Sequence, residues 1–189
     1  MSETFAFKGD VPHLLNTVFN PLLTNKEIFL RELILNAADA LTIIRDEVVS
    51  DPGVLEMEQG LATRVTLDKE NGLLTVEDSG VGMTKKDLIL FLGSVSRSGT
   101  LGLLEAREDE GRNPDPLHVF GRFGIGFYSA FCVSYKVRVV SKYYSDVQHI
   151  WESEVGGPIT VAPDYDMLHG ELFRGTKVIC FLNQDSLEF

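Results

Sequence analysis

The sequence predicts an α+β fold: a two-layer sandwich in which helices cover a mostly antiparallel sheet of about eight strands. The first observation behind this prediction is one long segment, residues 25–48, whose apolar residues recur at helical spacing. The second is a series of short alternating segments that are separated by turns rich in Gly, Pro and Asp. Such turns join strands as antiparallel hairpins, and the helices are expected to pack on the resulting sheet.

Composition and charge limit the classes of protein to which the chain can belong. Its 189 residues are 44% hydrophobic and 24% charged, which is typical of a globular protein with a sizeable core, so residues 1–189 are expected to form one domain. The net charge of −11 argues against nucleic acid or an anionic membrane as the main partner. It does not argue against a nucleotide, because local geometry binds phosphates.

Neither a metal centre nor a membrane span is expected from the residue pattern. Cys132 and Cys180 lie among apolar residues and are expected to be buried free thiols, and no Cys/His group has metal-ligand spacing. No apolar run is long enough to cross a membrane, and the residues after Met1 do not form a signal-peptide pattern.

The first quarter of the chain is expected to contain an edge strand and two helices. Residues 4–7 alternate as a short strand does, and Pro12 stands in the first turn of a helix that Pro21 should end or kink. In the long helix that follows, the apolar stripe expected to face the core consists of Phe29, Leu33, Ala37, Ala40, Leu41 and Ile44.

A hairpin and a short helix are expected next. The segments 63–68 and 73–77 alternate like strands and flank Asn71-Gly72, a favourable hairpin turn. The residues from Thr84 to Asp87 have the pattern of a capping box, which predicts a helix over residues 85–92.

The second half of the chain begins with a long irregular segment, residues 93–126, which is rich in Gly, Ser, Pro and charged residues. An irregular segment of this length inside a compact domain is typical of a lid or a binding loop. An apolar helix is expected at 127–133, followed by strands at 136–143, 147–153, 159–161 and 177–182.

Three groups of residues have chemistry that a packed core does not require, and the first lies on the long helix. Glu32, Asn36 and Ala40 follow one another at intervals of four residues, so they share one helix face beside the apolar stripe. A carboxylate and an amide at this position need partners, which are either neighbouring backbone groups or a ligand. The small Ala40 leaves room for a ligand, and on the helix alone both interpretations stay open.

The other two groups are rich in glycine. Asp78-x-Gly80-x-Gly82 follows a strand, where the Asp could accept a hydrogen bond from an exocyclic amine and the glycines could let a flat ring approach. The same residues also fit a plain turn. The motif GRFGIG, residues 121–126, precedes a helix and could present backbone N–H groups to phosphates, although no strand directly precedes it. Neither motif is specific alone.

In this order, the three groups resemble the GHKL nucleotide-binding fold of gyrase-type topoisomerases, histidine kinases, mismatch-repair ATPases and a chaperone family. From about Thr4 to its end, the chain strongly resembles the amino-terminal domain of the ninety-kilodalton heat-shock chaperone family. The stretches that carry this resemblance are NKEIFLRELILNAADAL, DSGVGMTKKDL, SVSRSGT, GRFGIGFYSAF, QHIWES and RGTKV. Among them, QHIWES resembles the endoplasmic-reticulum branch of the family, as does the longer stretch DKENGLLTVEDSGVGM.

The resemblance implies a role for each residue of an ATP site. Glu32 would be the catalytic base that polarises the attacking water, and Asn36 would coordinate the Mg²⁺ that bridges the phosphates. Asp78 would bind the adenine amine, and Arg97 would reach the nucleotide from the lid. The base pocket would be completed by Ala40, Gly82, Met83 and Thr176. The backbone that faces the phosphates would belong to Gly121, Gly124, Ile125, Gly126 and Phe127.

The resemblance also implies cofactors, partners and a location. The chain would bind ATP or ADP with Mg²⁺, and hydrolysis by the isolated domain would be weak. The full-length protein would add middle and carboxy-terminal domains, form a homodimer, and act on client proteins together with co-chaperones. Ansamycin and resorcinol inhibitors would enter the ATP pocket. The lumen of the endoplasmic reticulum is favoured over the cytoplasm or the mitochondrion.

Two alternative functions stay open. Phe91 stands where the family has a polar asparagine that contacts the nucleotide, which is a reason to consider a degenerate module that binds nucleotide without hydrolysing it. A histidine-kinase-type phosphotransferase would share the fold, but no dimerisation helix with a phosphoacceptor is present, and Glu32 is better suited to activating water. The negative charge disfavours the relatives that act on DNA.

Overall fold

The computed structural model describes residues 2–6, 27–50, 60–93 and 126–187. The fold is α+β, as the sequence predicts, with helices packed on one antiparallel sheet in two layers. The predicted helix that starts near Pro12 lies outside the described residues. The same holds for residues 94–125 of the predicted lid, which include Arg97, Gly121, Gly124 and Ile125.

Helix α1, Glu27–Ser50, confirms the long helix of the sequence analysis. Its stripe is buried as predicted at Phe29, Leu33, Ala37 and Ile44, while Ala40 and Leu41 are half-buried. Burial of such a stripe stabilises a helix far more than its intrinsic propensity does. The stripe therefore determines which side of α1 packs on the sheet.

Helix α2, Lys85–Leu92, begins at the predicted capping box. The Asp87 N–H donates to the Thr84 hydroxyl at 3.2 Å, and the Thr84 N–H donates to the Asp87 carboxylate at 3.0 Å. These reciprocal bonds satisfy donors that a helix start leaves unpaired. The helix buries Leu88, Phe91 and Leu92, so Phe91 belongs to its packed face.

The apolar helix expected at 127–133 is a 3-10 helix, Phe127–Cys132. Its bonds span three residues: the Ser129 N–H donates to the Gly126 carbonyl at 3.2 Å, and the Val133 N–H donates to the Ala130 carbonyl at 3.3 Å. Apolar periodicity over so few residues does not distinguish the tighter helix from an α-helix. The segment buries Tyr128, Ala130 and Phe131 against the sheet.

The described residues form seven strands, where about eight were expected. The sheet has the order β1-β6-β5-β4-β7-β3-β2, and all neighbouring strands are antiparallel. The edge strand predicted at 4–7 is β1, and the hairpin predicted around Asn71-Gly72 joins β2 to β3. The strands are β1 Glu3–Phe5, β2 Thr63–Asp68, β3 Leu73–Asp78, β4 Ser134–Lys142, β5 His149–Glu154, β6 Ile159–Pro163 and β7 Gly175–Leu182.

The core lies between the helices and one face of the sheet, which we call the inner face. One row of cross-strand neighbours on this face is entirely apolar and crosses five strands. It packs with Phe29 and Leu33 of α1. The row consists of Val76, Val178, Val139, Trp151 and Val161.

Both cysteines are free thiols, as the sequence predicts. Cys180 is buried as expected, whereas Cys132 is only half-buried. Among the helices that the structure describes, none combines the length and the apolar character needed to span a membrane.

Candidate functional site

The row of the inner face that follows the apolar row is polar. In the β3–β7–β4–β5 order, Asp78 pairs with Thr176, Thr176 with Ser141, and Ser141 with His149. All four residues are buried. Because side chains two residues apart on a strand share a face, these polar groups point towards the helical layer, as the apolar row does. We call this set the polar row.

Asp78 ends β3 and carries the only carboxylate of the polar row. Its Oδ1 accepts a hydrogen bond from the Gly80 N–H at 2.8 Å, and its carboxylate also accepts from the Thr176 N–H. Burial raises the pKa of Asp78 to about 7, although these two bonds and the charge of Arg174 favour the ionised form. A carboxylate has about four lone-pair sites, so Asp78 retains the capacity to accept a hydrogen bond from a ligand.

Ser141 links three segments around Asp78. Its Oγ accepts from the Met83 N–H at 2.9 Å, lies 3.1 Å from the Gly175 carbonyl, and lies 2.8 Å from the Thr176 hydroxyl. Ser141 is fully buried. The hydroxyl therefore connects the loop after β3 with the beginning of β7.

The glycines after Asp78 are required for packing within the chain. A Cβ on Gly80 would lie 2.5 Å from the Cβ of Ala40, and the Val81 N–H donates to the Ala40 carbonyl at 3.1 Å. Gly82 has a φ of +70°, and a Cβ there would lie 1.9 Å from the Lys142 carbonyl oxygen. From the sequence, these glycines fit either the approach of a flat ring or a plain turn. The structure adds a packing requirement, since α1 and β4 contact this loop directly.

Arg174 and Gly175, at the beginning of β7, also lie beside Asp78. A Cβ on Gly175 would lie 2.1 Å from the Asp78 carbonyl oxygen, and Gly175 has a φ of +111°. The Arg174 side chain is buried, and its Nη1 has no hydrogen-bond partner among the residues that the structure describes. Burial lowers the pKa of Arg174, while the carboxylates of Asp78 and Glu47 act in the opposite direction. Arg174 therefore contributes positive charge to the surroundings of Asp78.

Glu32, the predicted catalytic residue, lies on α1 about two turns before Ala40 and therefore away from the polar row. Glu32 is half-buried and Asn36 is exposed, one helical turn apart. A Cβ on Gly126 would lie 2.7 Å from Glu32 Oε2, so the carboxylate lies against the backbone that begins the 3-10 helix. The Phe127 ring packs edge-on against Trp151, with ring centroids 5.5 Å apart. This packing directs the ring into the core.

The described residues fit Mg²⁺ only together with a bound nucleotide. No group of three or more His, Cys, Asp and Glu side chains within the described ranges could hold a metal ion. Magnesium usually keeps several waters and binds through one or two protein oxygens plus the phosphates of the substrate. The exposed amide of Asn36 fits this second arrangement, because it supplies a single oxygen on the face that also carries Glu32.

The structure thus brings some of the predicted site residues together and separates others. Around the polar row it gathers Ala40, Asp78, Gly82, Met83 and Thr176. A second group contains Glu32, Asn36, Gly126 and Phe127. Neither Ser141 nor Arg174 is among the site residues that the sequence predicts. Ser141 is the polar residue that follows the buried alternation Val137, Val139, and Asp78 in the same way follows Leu74, Val76. This signal is visible in the sequence, but only the strand register reveals that Ser141 and Asp78 lie in one row.

No protein-family model matches the chain. Whole-chain similarity to individual proteins is nevertheless high. The chain is 41% identical over 192 residues to an endoplasmin homolog of Hordeum vulgare, and that alignment covers 100% of the chain and 23% of the relative. It is 40% identical over 190 residues to endoplasmin homologs of Catharanthus roseus and Arabidopsis thaliana, covering 100% of the chain and 22% of each relative.

The chain therefore spans less than a quarter of the length of these relatives. Identity of 40–41% in alignments that cover the whole chain is far beyond chance similarity, and it agrees with the stretches that carry the resemblance in the sequence. The fold and the alignments agree: along its whole length the chain is similar to a part of the endoplasmin homologs, which is consistent with the ninety-kilodalton heat-shock chaperone family.

Proposed function

We propose that the chain is the amino-terminal nucleotide-binding domain of an endoplasmin-like chaperone, and that it binds ATP and ADP. The observation that carries this proposal is the buried carboxylate of Asp78 in the polar row, with Thr176 beside it. A buried carboxylate that retains acceptor capacity is well suited to an exocyclic amine, which adenine has. Ala40, Gly82 and Met83 would form the rest of the base pocket.

The phosphates would extend along α1 away from the polar row. Ala40 and Glu32 are eight residues apart on one helix face, a separation of about 12 Å along the axis. This distance leaves room for a ribose and phosphates between the base pocket and the Glu32 carboxylate. The backbone of residues 121–127 would face the phosphates, and Arg97 would contact the nucleotide from a lid formed by residues 93–126.

Glu32 is the residue that we propose for hydrolysis of the terminal phosphate. Its carboxylate would accept a hydrogen bond from the attacking water and orient it, which is the role of a general base in phosphoryl transfer to water. Asn36 would hold Mg²⁺, and the ion would neutralise charge on the phosphate oxygens. Hydrolysis by the isolated domain would be slow, because stabilisation of the transferring charge also requires an arginine from a following domain.

In the full-length protein, binding of ATP would favour lid closure and docking of two amino-terminal domains, because the closed state binds ATP more tightly than the open state does. This cycle would act on client proteins with the help of co-chaperones. The lumen of the endoplasmic reticulum is the location that the endoplasmin-like relatives favour. Ansamycin and resorcinol inhibitors would compete with ATP for the base pocket.

Titration calorimetry with ADP and Mg²⁺ tests nucleotide binding. The wild-type chain should bind ADP, and Asp78→Asn should weaken binding at least about tenfold, because an amide presents an N–H towards the amine or loses one acceptor. Asp166→Asn is the matched control, since Asp166 is an exposed aspartate outside the site. Absence of ADP binding by the wild type, or equal binding by Asp78→Asn, would contradict the proposal.

Hydrolysis is tested separately with Glu32→Gln in the full-length protein. The variant should bind ADP as the wild type does and lose turnover by a factor of at least about 100, since its amide cannot act as a general base. If neither protein hydrolyses ATP, the degenerate binding module suggested by Phe91 is the better description. Transfer of labelled phosphate to a protein histidine would instead favour the phosphotransferase.

A further inference from the structure

Ser141 lies next to the proposed base pocket and has no role in the function proposed above. It is fully buried on the inner face, between Thr176 of β7 and His149 of β5. A serine at such a position introduces a polar group into a row that could otherwise be filled by an apolar side chain. Because a buried hydroxyl is costly unless its hydrogen bonds are satisfied, the number and direction of its bonds are informative.

The three contacts of Ser141 determine where its proton points. A serine hydroxyl has one proton to donate and two lone pairs to accept with. The Met83 N–H is only a donor and uses one lone pair, at 2.9 Å. The Gly175 carbonyl is only an acceptor, at 3.1 Å, so the Ser141 proton must point there if that bond is to form.

This leaves one arrangement for the third contact, with Thr176. Since the proton of Ser141 is committed to the Gly175 carbonyl, the 2.8 Å contact between the hydroxyls requires Thr176 to donate to Ser141. The proton of Thr176 is then unavailable to a ligand, while both lone pairs of its hydroxyl remain available. Thr176 therefore faces the pocket as an acceptor.

We propose that Ser141 is a positioning residue that makes Thr176 an acceptor, and so adapts the pocket to a base with an exocyclic amine. This inference rests on the nucleotide binding proposed above. Asp78 and Thr176 are cross-strand neighbours, so the pocket presents two adjacent acceptors. An amine with two N–H donors matches them, whereas an exocyclic oxo group at the same position would face two acceptors and is disfavoured.

The test compares ADP with inosine diphosphate, which carries an oxo group in place of the amine of adenine. The measured quantity is the ratio of the dissociation constant of inosine diphosphate to that of ADP. In Ser141→Ala the Thr176 hydroxyl loses its acceptor and can rotate to donate to the oxo group, so this ratio should fall by about tenfold. Ser141→Thr restores a hydroxyl and should return the ratio towards that of the wild type.

Two further variants separate this role from a merely structural one. Ser153→Ala removes another buried serine of the inner face, outside the polar row, and should leave the ratio unchanged. Thr176→Val gives a result whose sign is decisive even if Ser141→Ala does not fold. If Thr176 acts as an acceptor, the valine variant binds ADP less tightly and the ratio falls. If Thr176 acted as a donor, the variant would bind inosine diphosphate less tightly and the ratio would rise.

A raised ratio in Thr176→Val, or an unchanged ratio in a folded Ser141→Ala, overturns the inference and leaves nucleotide binding intact. If the wild type binds neither nucleotide, the proposed function fails and this inference fails with it. A ratio that falls in both variants supports the assignment of Ser141.

Discussion

Asp78 combines burial with a proposed role, the binding of an exocyclic amine, that favours the charged carboxylate. An exocyclic amine needs the ionised carboxylate as acceptor, but burial favours the neutral form and raises the pKa to about 7 from the ordinary value of 3.8. The Gly80 and Thr176 N–H groups partly offset this effect, as does the charge of Arg174. Asp78 is therefore the residue whose protonation state should control both binding and stability near neutral pH.

We expect ADP affinity to rise as the pH rises through about 7, because the proton on Asp78 must leave before the amine can donate. Between pH 6 and pH 8 the ionised fraction of a group with this pKa changes about tenfold, and so should the affinity. Calorimetry in buffers of different ionisation enthalpy should detect proton release below pH 7. Adenosine serves as the control ligand, because it lacks titrating phosphates. A pH-independent affinity for adenosine would contradict the prediction.

The same shift affects the stability of the unliganded protein with a definite sign. The folded state holds the Asp78 proton more tightly than the unfolded state does, so this group favours folding at low pH and loses that contribution as the pH rises through about 7. Asp78→Asn should abolish this part of the pH dependence. Denaturant unfolding at pH 5 and pH 8 measures it as the difference between wild type and variant.

Gly82 shows how strictly one residue can be constrained by its neighbours. Its φ of +70° disfavours any side chain, and a Cβ would collide with the Lys142 carbonyl. Gly82→Ala should therefore lower the free energy of unfolding by about 2 kcal/mol or more. Gly60→Ala is the control, because a Cβ there meets no described residue within 4 Å and should change stability by less than about 0.5 kcal/mol. Chemical denaturation that gave equal values for the two variants would contradict this account.

At the scale of elements, α2 depends on a start signal that is local in sequence. The capping box from Thr84 to Asp87 satisfies backbone N–H groups that water would otherwise have to reach at a half-buried position. The helix is only eight residues long, too short to be stable alone. Its cap and its packed face are therefore both needed.

Thr84→Ala should destabilise the fold by about 1 kcal/mol, since it removes the acceptor for the Asp87 N–H. Thr42→Ala is a suitable control: Thr42 lies inside α1, where its hydroxyl bonds to the Ala38 carbonyl and Ala has the better helix propensity. That control should be neutral or slightly stabilising. Thermal denaturation distinguishes the two, and a Thr84→Ala protein as stable as the wild type would show that the cap is dispensable.

Helix α1 serves two layers of the molecule at once. Its apolar stripe packs on the inner face, while its neighbouring face carries Ala40 against the glycine loop and Glu32 against Gly126. The helix therefore connects the polar row with the beginning of the 3-10 helix.

For the whole molecule, the strand order predicts a gradient of stability across the sheet. β4 and β7 are central and pair on both sides, whereas β1 has three residues and, among the described strands, pairs only with β6. Amide protons of β4 and β7 should exchange with solvent only on global unfolding, while those of β1 should exchange by local opening and much faster. Hydrogen exchange followed by NMR measures this, and equal protection of β1 and β4 would contradict the prediction.

Much of the fold follows from patterns that are local in the chain. The stripe of α1, the hairpin around Asn71-Gly72 and the capping box at Thr84 each depend on residues within a few positions of one another. Local spacing encodes these features, so the sequence predicts them with nearly correct ends. The 3-10 helix at Phe127–Cys132 is the exception, because its short length leaves the helix type undecided by spacing.

The candidate site also has features that the sequence predicts and features that only the tertiary structure reveals. By itself the sequence determined the α+β class, the side of α1 that packs, and the selection of Asp78, Glu32 and Asn36 by their chemistry. Only the tertiary structure decided that Ser141 meets Thr176 and that Gly80 and Gly82 pack against α1 and β4. The physical reason is that strand register joins residues far apart in sequence, and one register places Asp78, Thr176 and Ser141 in a single buried row.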